Sequence, residues 1–362
     1  MTNSQLLVNL SFLLAQPTGL SIYAANVFPH LKSLNPTLLT AQPIADFPCH
    51  LVPTNLTPAQ GSRGHFDRLR WTQFALPKLY GQLNASLLFS PVPEAPLGSG
   101  CRSVVMVHDL IPLRYPNWRS PLMAYFRWYI PAVLRQAVHI VCNSQATATD
   151  LVDFFEIPAA KITPILLGYD RDHFQPSSTA LKPPQRPYFL FIGRHDPHKN
   201  VARLIKAFAQ LRDCQEIDLI LAGPIDSRYT PQLLALATDL GVENSVKCLD
   251  YVSYDQLRQL YQQAIALVFP SLWEGFGFPV LEAMACGAAV ITSNQSSLPE
   301  VAGEAALLVD PTDVEALTDA MEQVWQDPRL RTNLQQRSLV RSQEFSWQKT
   351  GQATCDLLAK FV

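Results

Sequence analysis

The sequence lacks several features that would assign it to a common class of protein. Its seven cysteines are scattered without a C-x-x-C pair, which argues against both a zinc site and a disulfide framework. Its apolar runs are no longer than a strand, so none of them can span a membrane. The run LLVNLSFLLA near the start has no basic leader and no convincing cleavage site, and we interpret it as a buried strand. These absences favour a cytosolic protein.

Charged residues are few, at 16% of 362, whereas hydrophobic residues make up 48%, enough to form two domains with substantial cores. The charges are unevenly distributed. Residues 1–140 contain 10 Lys or Arg against 4 Asp or Glu, and residues 141–362 contain 18 against 26, which gives net charges of +6 and −8. A basic first half predicts an anionic partner, such as a lipid surface or a phosphate-linked acceptor, although an indifferent surface charge remains the alternative. Nucleic acid is not expected, because the basic residues form no dense run.

Short apolar runs alternate with segments that can be helical, which predicts an α/β fold with doubly wound parallel sheets. In the second half the candidate strands are YFLFIG, IDLILAG, SVKCLD, IALVFP, AAVITS and AALLVD; in the first half they are LLVNLSFLL, ASLLFS, RSVVMVH, HIVCN and KITPIL. The helical pattern is clearest in NVARLIKAFAQL. There, five apolar residues share one face behind a candidate cap, Asn200: Val201, Leu204, Ile205, Phe208 and Leu211.

A stretch rich in proline, serine and charge separates the two halves, as a linker would. We therefore predict a first Rossmann-like domain over residues 1–170, a linker over 171–186 and a second Rossmann-like domain over 187–344. Residues 345–362 are predicted to form a terminal helix. We expect the carboxyl ends of both sets of strands to face a common cleft, because open α/β sheets bind ligands at those ends.

The stretch EGFGFPVLE is the most informative motif, because it joins two carboxylates to a glycine-rich turn and a helix start. It follows a buried strand that ends near Pro270. Gly275 and Gly277 allow a tight turn and close approach of a ligand, Pro279 suits a first helical position and Gly287 suits the helix stop. The helix start favours an anion, while Glu274 and Glu282 can accept hydrogen bonds from sugar or ribose hydroxyls.

This motif predicts a nucleotide-sugar site in which Gly275, Phe276, Gly277 and Phe278 contact the donor. An ordinary strand-turn-helix with solvated glutamates is the alternative. A dinucleotide-binding fingerprint is excluded, because Val280 occupies the position where that fingerprint requires its third glycine.

A second motif, GRHDPHKN, places Gly193 at a strand end and aims two cations, Arg194 and Lys199, across a turn. Two cations so placed can stabilise the charge that develops on a leaving diphosphate, which makes a metal ion unnecessary. Solvated surface charges are the alternative. Asp170-Arg171-Asp172 formally satisfies the D-x-D pattern of metal-dependent transferases, but two carboxylates alone make a poor magnesium site. We expect no metal and no cofactor other than the donor substrate itself.

The string SLWEGFGFPVLEAMACGAAVITSNQSSLPEVAGEAALLVDP closely resembles the donor-site signature of retaining GT-B glycosyltransferases, known as glycosyltransferase group 1 or family four. The resemblance also covers HFDRLRWTQFALPKL, VHDLIPLRYP, VCNSQATATDL, LLGYDRDHF, GRHDPHKN and the terminal FSW, and it favours bacterial mannosyltransferase-like enzymes. It implies two Rossmann-like domains, with the terminal helix crossing back to the first domain.

The resemblance also implies roles for individual residues. Arg194 and Lys199 match residues that bind the donor diphosphate without a metal, Glu282 matches the residue that binds the ribose, and Glu274 matches the one that contacts the transferred sugar. His108 matches a histidine beside that sugar, with Asp109 anchoring its loop. Gly19, in AQPTGLSIY, matches a glycine-bearing loop that approaches the diphosphate, although this chain lacks the usual double glycine.

The resemblance therefore implies transfer of a hexose, with mannose favoured, from a nucleoside-diphosphate sugar to a saccharide or lipid-linked acceptor, with retention of configuration. Two rival functions remain open: a non-catalytic sugar-nucleotide-binding scaffold and a nucleotide-sugar epimerase. Finally, NWRSPLMAYFRWYIPAVLRQA interleaves arginine with aromatic residues, which is compatible with peripheral contact with an anionic membrane or with a core helix.

Overall fold

The computed structural model describes residues 5–13, 19–118, 120, 122–177 and 182–362. The chain divides into two compact units, Met1–Gly168 with Trp347–Val362, and Tyr169–Ser346. Each unit is built on one sheet in which every neighbouring pair of strands is parallel. Among the described residues, no helix combines the length and hydrophobicity needed to cross a bilayer.

The first unit contains a seven-stranded sheet in the order β3-β2-β1-β4-β5-β6-β7. Its strands are β1 Gln5–Asn9, β2 Thr37–Thr40, β3 Cys49–Leu51, β4 Ala85–Ser90, β5 Ser103–Val107, β6 His139–Cys142 and β7 Ile162–Pro164. The five strands predicted for this half are all present. The sequence did not predict β2 and β3, because both are short and β3 is not apolar enough to differ from its surroundings.

Helices cover both faces of this sheet. They are α1 Gly19–Val27, α2 Gly61–Phe74, α3 Leu76–Gln82, α4 Ile111–Arg114, α5 Leu122–Ala124, α6 Ile130–Gln136 and α7 Gln145–Phe155, with a π-helical turn at Tyr125–Tyr129 and short 3-10 turns at Phe28–Leu34, Thr54–Leu56, Pro58–Gln60 and Ala159–Lys161. The central strands are buried along their whole length, as expected for a parallel sheet between two layers of helices.

The second unit contains a six-stranded sheet in the order β10-β9-β8-β11-β12-β13. Its strands are β8 Tyr188–Ile192, β9 Asp218–Ala222, β10 Val246–Leu249, β11 Ala266–Phe269, β12 Val290–Ser293 and β13 Leu307–Val309. All six coincide with predicted runs. Its helices are α8 Val201–Ala209, α9 Thr230–Asp239, α10 Tyr254–Gln263, α11 Phe278–Ala285, α12 Leu298–Ala302, α13 Val314–Gln326 and α14 Pro328–Ser342, with 3-10 turns at Pro197–Lys199 and Gly303–Ala305.

The last helix, α15 Trp347–Leu358, packs in the first unit. The Thr350 hydroxyl donates to the carbonyl of Leu166 at 2.8 Å. Gly351 lies directly against His30, where a Cβ would come within 2.3 Å of the imidazole ring. A glycine is therefore required at this point of the helix, because any side chain would push it away from the 3-10 turn that carries His30.

Helix α8 confirms the predicted apolar face, since Val201, Leu204, Ile205 and Phe208 are all buried. The predicted cap is wrong in detail. Asn200 occupies the N-cap position with φ 63°, but its side chain accepts no hydrogen bond from a backbone N–H of the helix; its Oδ1 accepts from the Arg203 guanidinium at 2.9 Å. Its amide donates instead to the carbonyls of Pro270 and Pro311, at 3.0 and 2.6 Å. Asn200 thus ties together three loops at the carboxyl edge of the sheet.

Candidate functional site

The loop after β8 begins at Gly193, whose N–H donates to the carbonyl of Ala222 at the end of β9. Gly223 follows with φ +149°, and a Cβ on it would lie 2.2 Å from the Gly193 carbonyl oxygen. The two strand ends are therefore in backbone contact, which only a glycine at 223 permits. This contact fixes the start of the loop that carries the predicted cations.

The main finding at this edge is a contact between Lys199 and Glu274, two of the predicted catalytic residues. The Lys199 Nζ donates to Glu274 Oε1 at 2.6 Å, and the two side chains are only 17% and 10% exposed. They come from the loops after β8 and β11, which are neighbours in the sheet. The loops are also joined by a hydrogen bond from Leu272 N–H to the carbonyl of His198 at 2.7 Å. The fold thus places a cation and a carboxylate together at a position where little of either side chain is exposed to solvent.

Arg194, the other predicted cation, is largely exposed and does not contact this pair. Its Nε lies 3.1 Å from Asp196, and the guanidinium of Arg228, from the loop after β9, lies 3.7 Å from the same carboxylate. Asp226 holds Arg228 from the other side at 2.6 Å. Asp196 therefore draws two guanidinium groups to one region beside the Lys199 loop. The sequence analysis did not select Arg228, although its position just beyond a strand end was a usable signal.

The glycine-rich turn has the form that the sequence predicts. Strand β11 ends at Phe269 and α11 begins at Phe278, so Glu274 lies in the turn and Glu282 in the helix. Gly277 adopts φ +115°, and a Cβ there would lie 2.8 Å from Leu298. Pro279 lies in the first turn of α11, and Gly287 follows its end with φ +78°.

Two serines that the sequence analysis missed hold this turn in place. The Ser297 hydroxyl donates to the carbonyl of Phe276 at 2.7 Å and lies 3.0 Å from that of Glu274. The N–H of Glu274 donates to the Ser296 hydroxyl at 3.1 Å. The Phe276 ring is buried, with its centroid 5.4 Å from that of Phe278. Gly275 lies between these anchored residues. The turn is thus fixed at its backbone before any ligand arrives.

Glu282 is partly buried and points to α10, where the hydroxyl of Tyr261 donates to its Oε2 at 3.0 Å. Burial raises the pKa of Glu282 to about 7; the Tyr261 hydrogen bond opposes this rise and the nearby Asp170 carboxylate adds to it. No contact among the described residues joins Glu282 to the Lys199–Glu274 pair. The structure therefore separates the two glutamates into two environments, one charged and paired, the other desolvated.

In the turn that carries the D-x-D pattern, Asp170 and Arg171 are bonded to other parts of the protein. Asp170 accepts from the backbone N–H groups of Asp172 and His173, and Arg171 donates to the carbonyls of Gln343 and Phe345. Across the described parts of the chain, no group of three or more His, Cys, Asp or Glu side chains could hold a metal ion. Metal independence itself stays a prediction.

In the first unit, His108 follows β5 and is held by the backbone. Its Nε2 lies 3.0 Å from the carbonyl of Pro91, and its ring meets the edge of Tyr23 at 5.0 Å. A carbonyl only accepts, so Nε2 carries the hydrogen and Nδ1 is left as an acceptor. Burial lowers the pKa of His108 to about 4, so the ring is neutral at pH 7. Asp109 accepts from Ile111 N–H at 3.0 Å, in keeping with its predicted anchoring role.

Gly19 is the first residue of α1, the helix that carries Tyr23 to His108. The space around its Cα is open. The rest of the predicted turn, Pro17 and Thr18, lies outside the described residues. The helix that starts at Gly19 therefore reaches His108 through Tyr23, whereas Gly19 itself faces open space.

The aromatic and basic segment divides into a buried and an exposed side. Ile130 and Leu134 are buried in the core of the first unit, whereas Trp118 and Trp128 are 67% and 70% exposed. The Arg127 guanidinium lies close to both tryptophans, 5.8 and 5.9 Å from their ring centroids. We call these three exposed residues the Trp-Arg-Trp patch. Arg119, the first arginine of the same segment, lies outside the described residues.

Two family models match consecutive parts of the chain. Residues 18–173 match "Glycosyltransferase Family 4", and residues 175–340 match "Glycosyl transferases group 1". Among curated proteins, the O-antigen chain mannosyltransferase B of Escherichia coli is 31% identical over 258 residues, which cover 68% of this chain and 67% of that protein. The serotype-specific mannosyltransferase WbdA of Escherichia coli is 31% identical over 274 residues, 70% of this chain and 33% of that protein. The MMP alpha-(1->4)-mannosyltransferase of Mycolicibacterium hassiacum is 32% identical over 68% of this chain and 60% of that protein.

Solved structures share the fold at low sequence identity. The sucrose-phosphate synthase of Thermosynechococcus elongatus superposes with a TM-score of 0.75 at 20% identity, over 99% of this chain and 98% of that one. Anabaena HepE in complex with UDP and glucose superposes with a TM-score of 0.74 at 18% identity, over 99% and 100% of the two chains. Together with the two parallel sheets, these matches confirm the predicted GT-B fold.

Proposed function

The chain belongs to the glycosyltransferases of group 1 and family 4, and we propose that it transfers mannose from a nucleoside-diphosphate sugar to a saccharide or lipid-linked acceptor. The family membership confirms the predicted class of enzyme. The mannosyltransferase relatives support the choice of sugar, and two of them are named for the O antigen or a serotype, which supports a place in cell-envelope polysaccharide synthesis. We propose that the transfer retains the anomeric configuration and needs no metal ion.

The observation that carries this proposal is the Lys199–Glu274 contact beside the start of α11. In the proposed reaction Lys199 and Arg194 stabilise the diphosphate as it leaves, because cations placed where charge develops lower the barrier. The N–H groups at the start of α11 add a fixed positive field to the same place. Glu274 contacts the sugar hydroxyls, and Glu282 accepts from the ribose.

We propose that the departing diphosphate itself takes the acceptor proton. The bond from the anomeric carbon to the diphosphate oxygen breaks, and the acceptor oxygen joins the same face of the sugar. The lowered pKa of His108 makes its neutral ring a weak base. We therefore propose that His108 orients the sugar through Nδ1 and does not accept the proton. The protein then contributes position and charge.

Thermal-shift measurements with GDP-mannose, UDP-glucose and the free nucleoside diphosphates test donor binding, because a ligand that binds only the folded state stabilises it. We expect one donor to stabilise the protein and Lys199→Ala to remove most of that shift. Lys206→Ala is the matched control, since Lys206 is exposed on α8. Transfer to an acceptor, with the product anomer assigned by NMR, then tests the reaction. An inverted product, or donor turnover to an epimer without acceptor, contradicts the proposal.

We further propose that the protein works at the cytoplasmic face of a membrane and touches it through the Trp-Arg-Trp patch. Exposed tryptophan suits the interface between lipid and water, and arginine suits anionic headgroups. The net charge of +6 in residues 1–140 supports the same choice. Phe66 adds a further exposed aromatic next to His65, whose ring packs on Tyr125 of the π-helical turn.

Sedimentation with liposomes tests this contact. We expect salt-sensitive binding to anionic but not neutral vesicles, and its loss when Trp118 and Trp128 are both replaced by alanine. Tyr251→Ala, which removes a highly exposed aromatic of the second unit, is the control. Equal binding to neutral and anionic vesicles, or full binding by the double variant, would overturn the proposal.

A further inference from the structure

Tyr261 is a fully buried side chain whose one polar atom is directed at a proposed ligand-binding group. Its ring lies in the aromatic packing around Phe174, at 6.1 Å between centroids. Its hydroxyl crosses from α10 to α11 and donates to Glu282 Oε2 at 3.0 Å. The partner oxygen, Oε1, has no hydrogen bond within the described residues. One oxygen of Glu282 is thus held by the protein and the other is left for a ligand.

Burial and one nearby charge oppose the ionisation of Glu282, whereas the Tyr261 hydroxyl favours it. Asp170, from the turn after the first unit's last strand, raises the pKa of Glu282, as does burial. Glu282 also acts on Tyr254 of α10 and on Cys286 at the end of α11, and the cation Arg258 of α10 acts on the same cysteine. The Tyr261 hydroxyl is the group that favours the carboxylate, because an O–H donor stabilises the ionised form.

We propose that Tyr261 is a positioning residue for nucleotide binding: its hydroxyl orients Glu282 and keeps it ionised, so that the free oxygen accepts hydrogen bonds from the two ribose hydroxyls. This inference rests on the proposed function, in which Glu282 meets the ribose. The inference predicts a pH dependence that a purely structural role of Tyr261 would not produce. Ribose binding changes in strength near neutral pH, and the Tyr261 hydroxyl sets the pH at which half of this change has occurred.

The direction of the pH effect follows from the chemistry. The carboxylate accepts from both hydroxyls, whereas the protonated acid offers a weaker acceptor, so ribose recognition strengthens as the pH rises through the Glu282 pKa of about 7. Removing the Tyr261 hydroxyl removes the opposing hydrogen bond and moves that midpoint to higher pH. At pH 7 less of Glu282 is then ionised, and ribose recognition weakens.

The experiment measures Kd by calorimetry for UDP, GDP and their 2′,3′-dideoxy analogues from pH 5.5 to pH 9. The ratio of the dideoxy Kd to the ribo Kd isolates the hydroxyl contacts, because the titration of the diphosphate is common to both ligands. Tyr261→Phe keeps the ring and removes the hydroxyl. Tyr188→Phe is the matched control, since the Tyr188 hydroxyl donates to the carbonyl of Leu260 on the same helix but does not reach Glu282.

In the wild type we expect this ratio to be about tenfold or more at pH 8.5 and to fall toward one at pH 5.5. Tyr261→Phe is expected to move the midpoint upward by about one pH unit, which lowers the ratio about three- to fivefold at pH 7. Tyr188→Phe is expected to lose stability while keeping the wild-type profile. Tyr261→3-fluorotyrosine, a stronger donor, is expected to move the midpoint downward, and it tests the inference even if Tyr261→Phe fails to fold.

Glu282→Ala separates the two levels of the argument. A ratio near one at every pH in this variant supports the ribose role of Glu282. If Glu282→Ala keeps the wild-type ratio, the proposed function of Glu282 is wrong. If Glu282→Ala abolishes the ratio but both Tyr261 variants keep the wild-type midpoint, the ribose role stands and the positioning role of Tyr261 is overturned.

Discussion

Glu274→Gln removes one charge from the Lys199–Glu274 pair and keeps the shape of the side chain. Because the wild-type pair is joined at 2.6 Å and both side chains are largely buried, Lys199 is left without its anionic partner in a poorly hydrated position. A hydrogen bond to a charged group contributes roughly 1.5–3 kcal/mol. We therefore expect the free energy of unfolding to fall by about 2 kcal/mol in the absence of nucleotide.

The same change affects nucleotide binding in the opposite direction. In the wild type a diphosphate competes with Glu274 for the Lys199 ammonium, whereas in Glu274→Gln the ammonium is free to meet it. We expect the free nucleoside diphosphate to bind at least as tightly as in the wild type, and up to about tenfold more tightly, which corresponds to about 1.4 kcal/mol. Turnover should nevertheless fall strongly, because the sugar loses a charged acceptor in the transition state.

Denaturant unfolding, calorimetry with the nucleoside diphosphate and steady-state kinetics together check this prediction. Glu322→Gln is the control, because Glu322 pairs with Arg212 at 3.2 Å in the same unit. It should leave nucleotide affinity and turnover unchanged. The reasoning is refuted if Glu274→Gln weakens nucleoside-diphosphate binding tenfold or more without loss of stability, since Glu274 would then contact the nucleotide itself.

Three further outcomes are expected. Gly223→Ala should destabilise the protein by about 1–3 kcal/mol or more, because a Cβ would meet the Gly193 carbonyl at 2.2 Å; Gly241→Ala, also at positive φ but in open space, should cost less, and equal losses in chemical unfolding would argue against the clash. The lowered pKa of His108, about 4 when folded, means that its contribution to stability is present above the ordinary histidine pKa of about 6.5 and is lost as the pH falls toward 4; unfolding of His108→Gln should lack this slope, and an unchanged slope would contradict the assignment. Excess chelator should leave most transferase activity intact, and recovery of lost activity by magnesium or manganese would refute the diphosphate roles of Arg194 and Lys199.

The sequence by itself determined the two parallel sheets, eleven of the strands and the form of the glycine-rich turn. These features follow from local patterns: apolar runs of strand length are buried on both faces, the 3.6-residue period of α8 is carried by neighbouring residues, and glycine and proline mark the ends of helices. The family resemblance then selected Lys199, Glu274 and Glu282 on local motifs. The strand β3 was not predicted, because its sequence, CHL, has no apolar pattern of its own.

Only the tertiary structure decided which of these groups touch. Lys199 and Glu274 are 75 positions apart, and Tyr261 and Glu282 are 21 apart, so neither contact appears in any local pattern. Asn200 shows the same limit: its place before a helix predicted a cap, yet its amide binds two distant carbonyls. A local pattern encodes whether a residue is buried, whereas the choice of hydrogen-bond partner depends on which loops the strand order brings to one edge of the sheet.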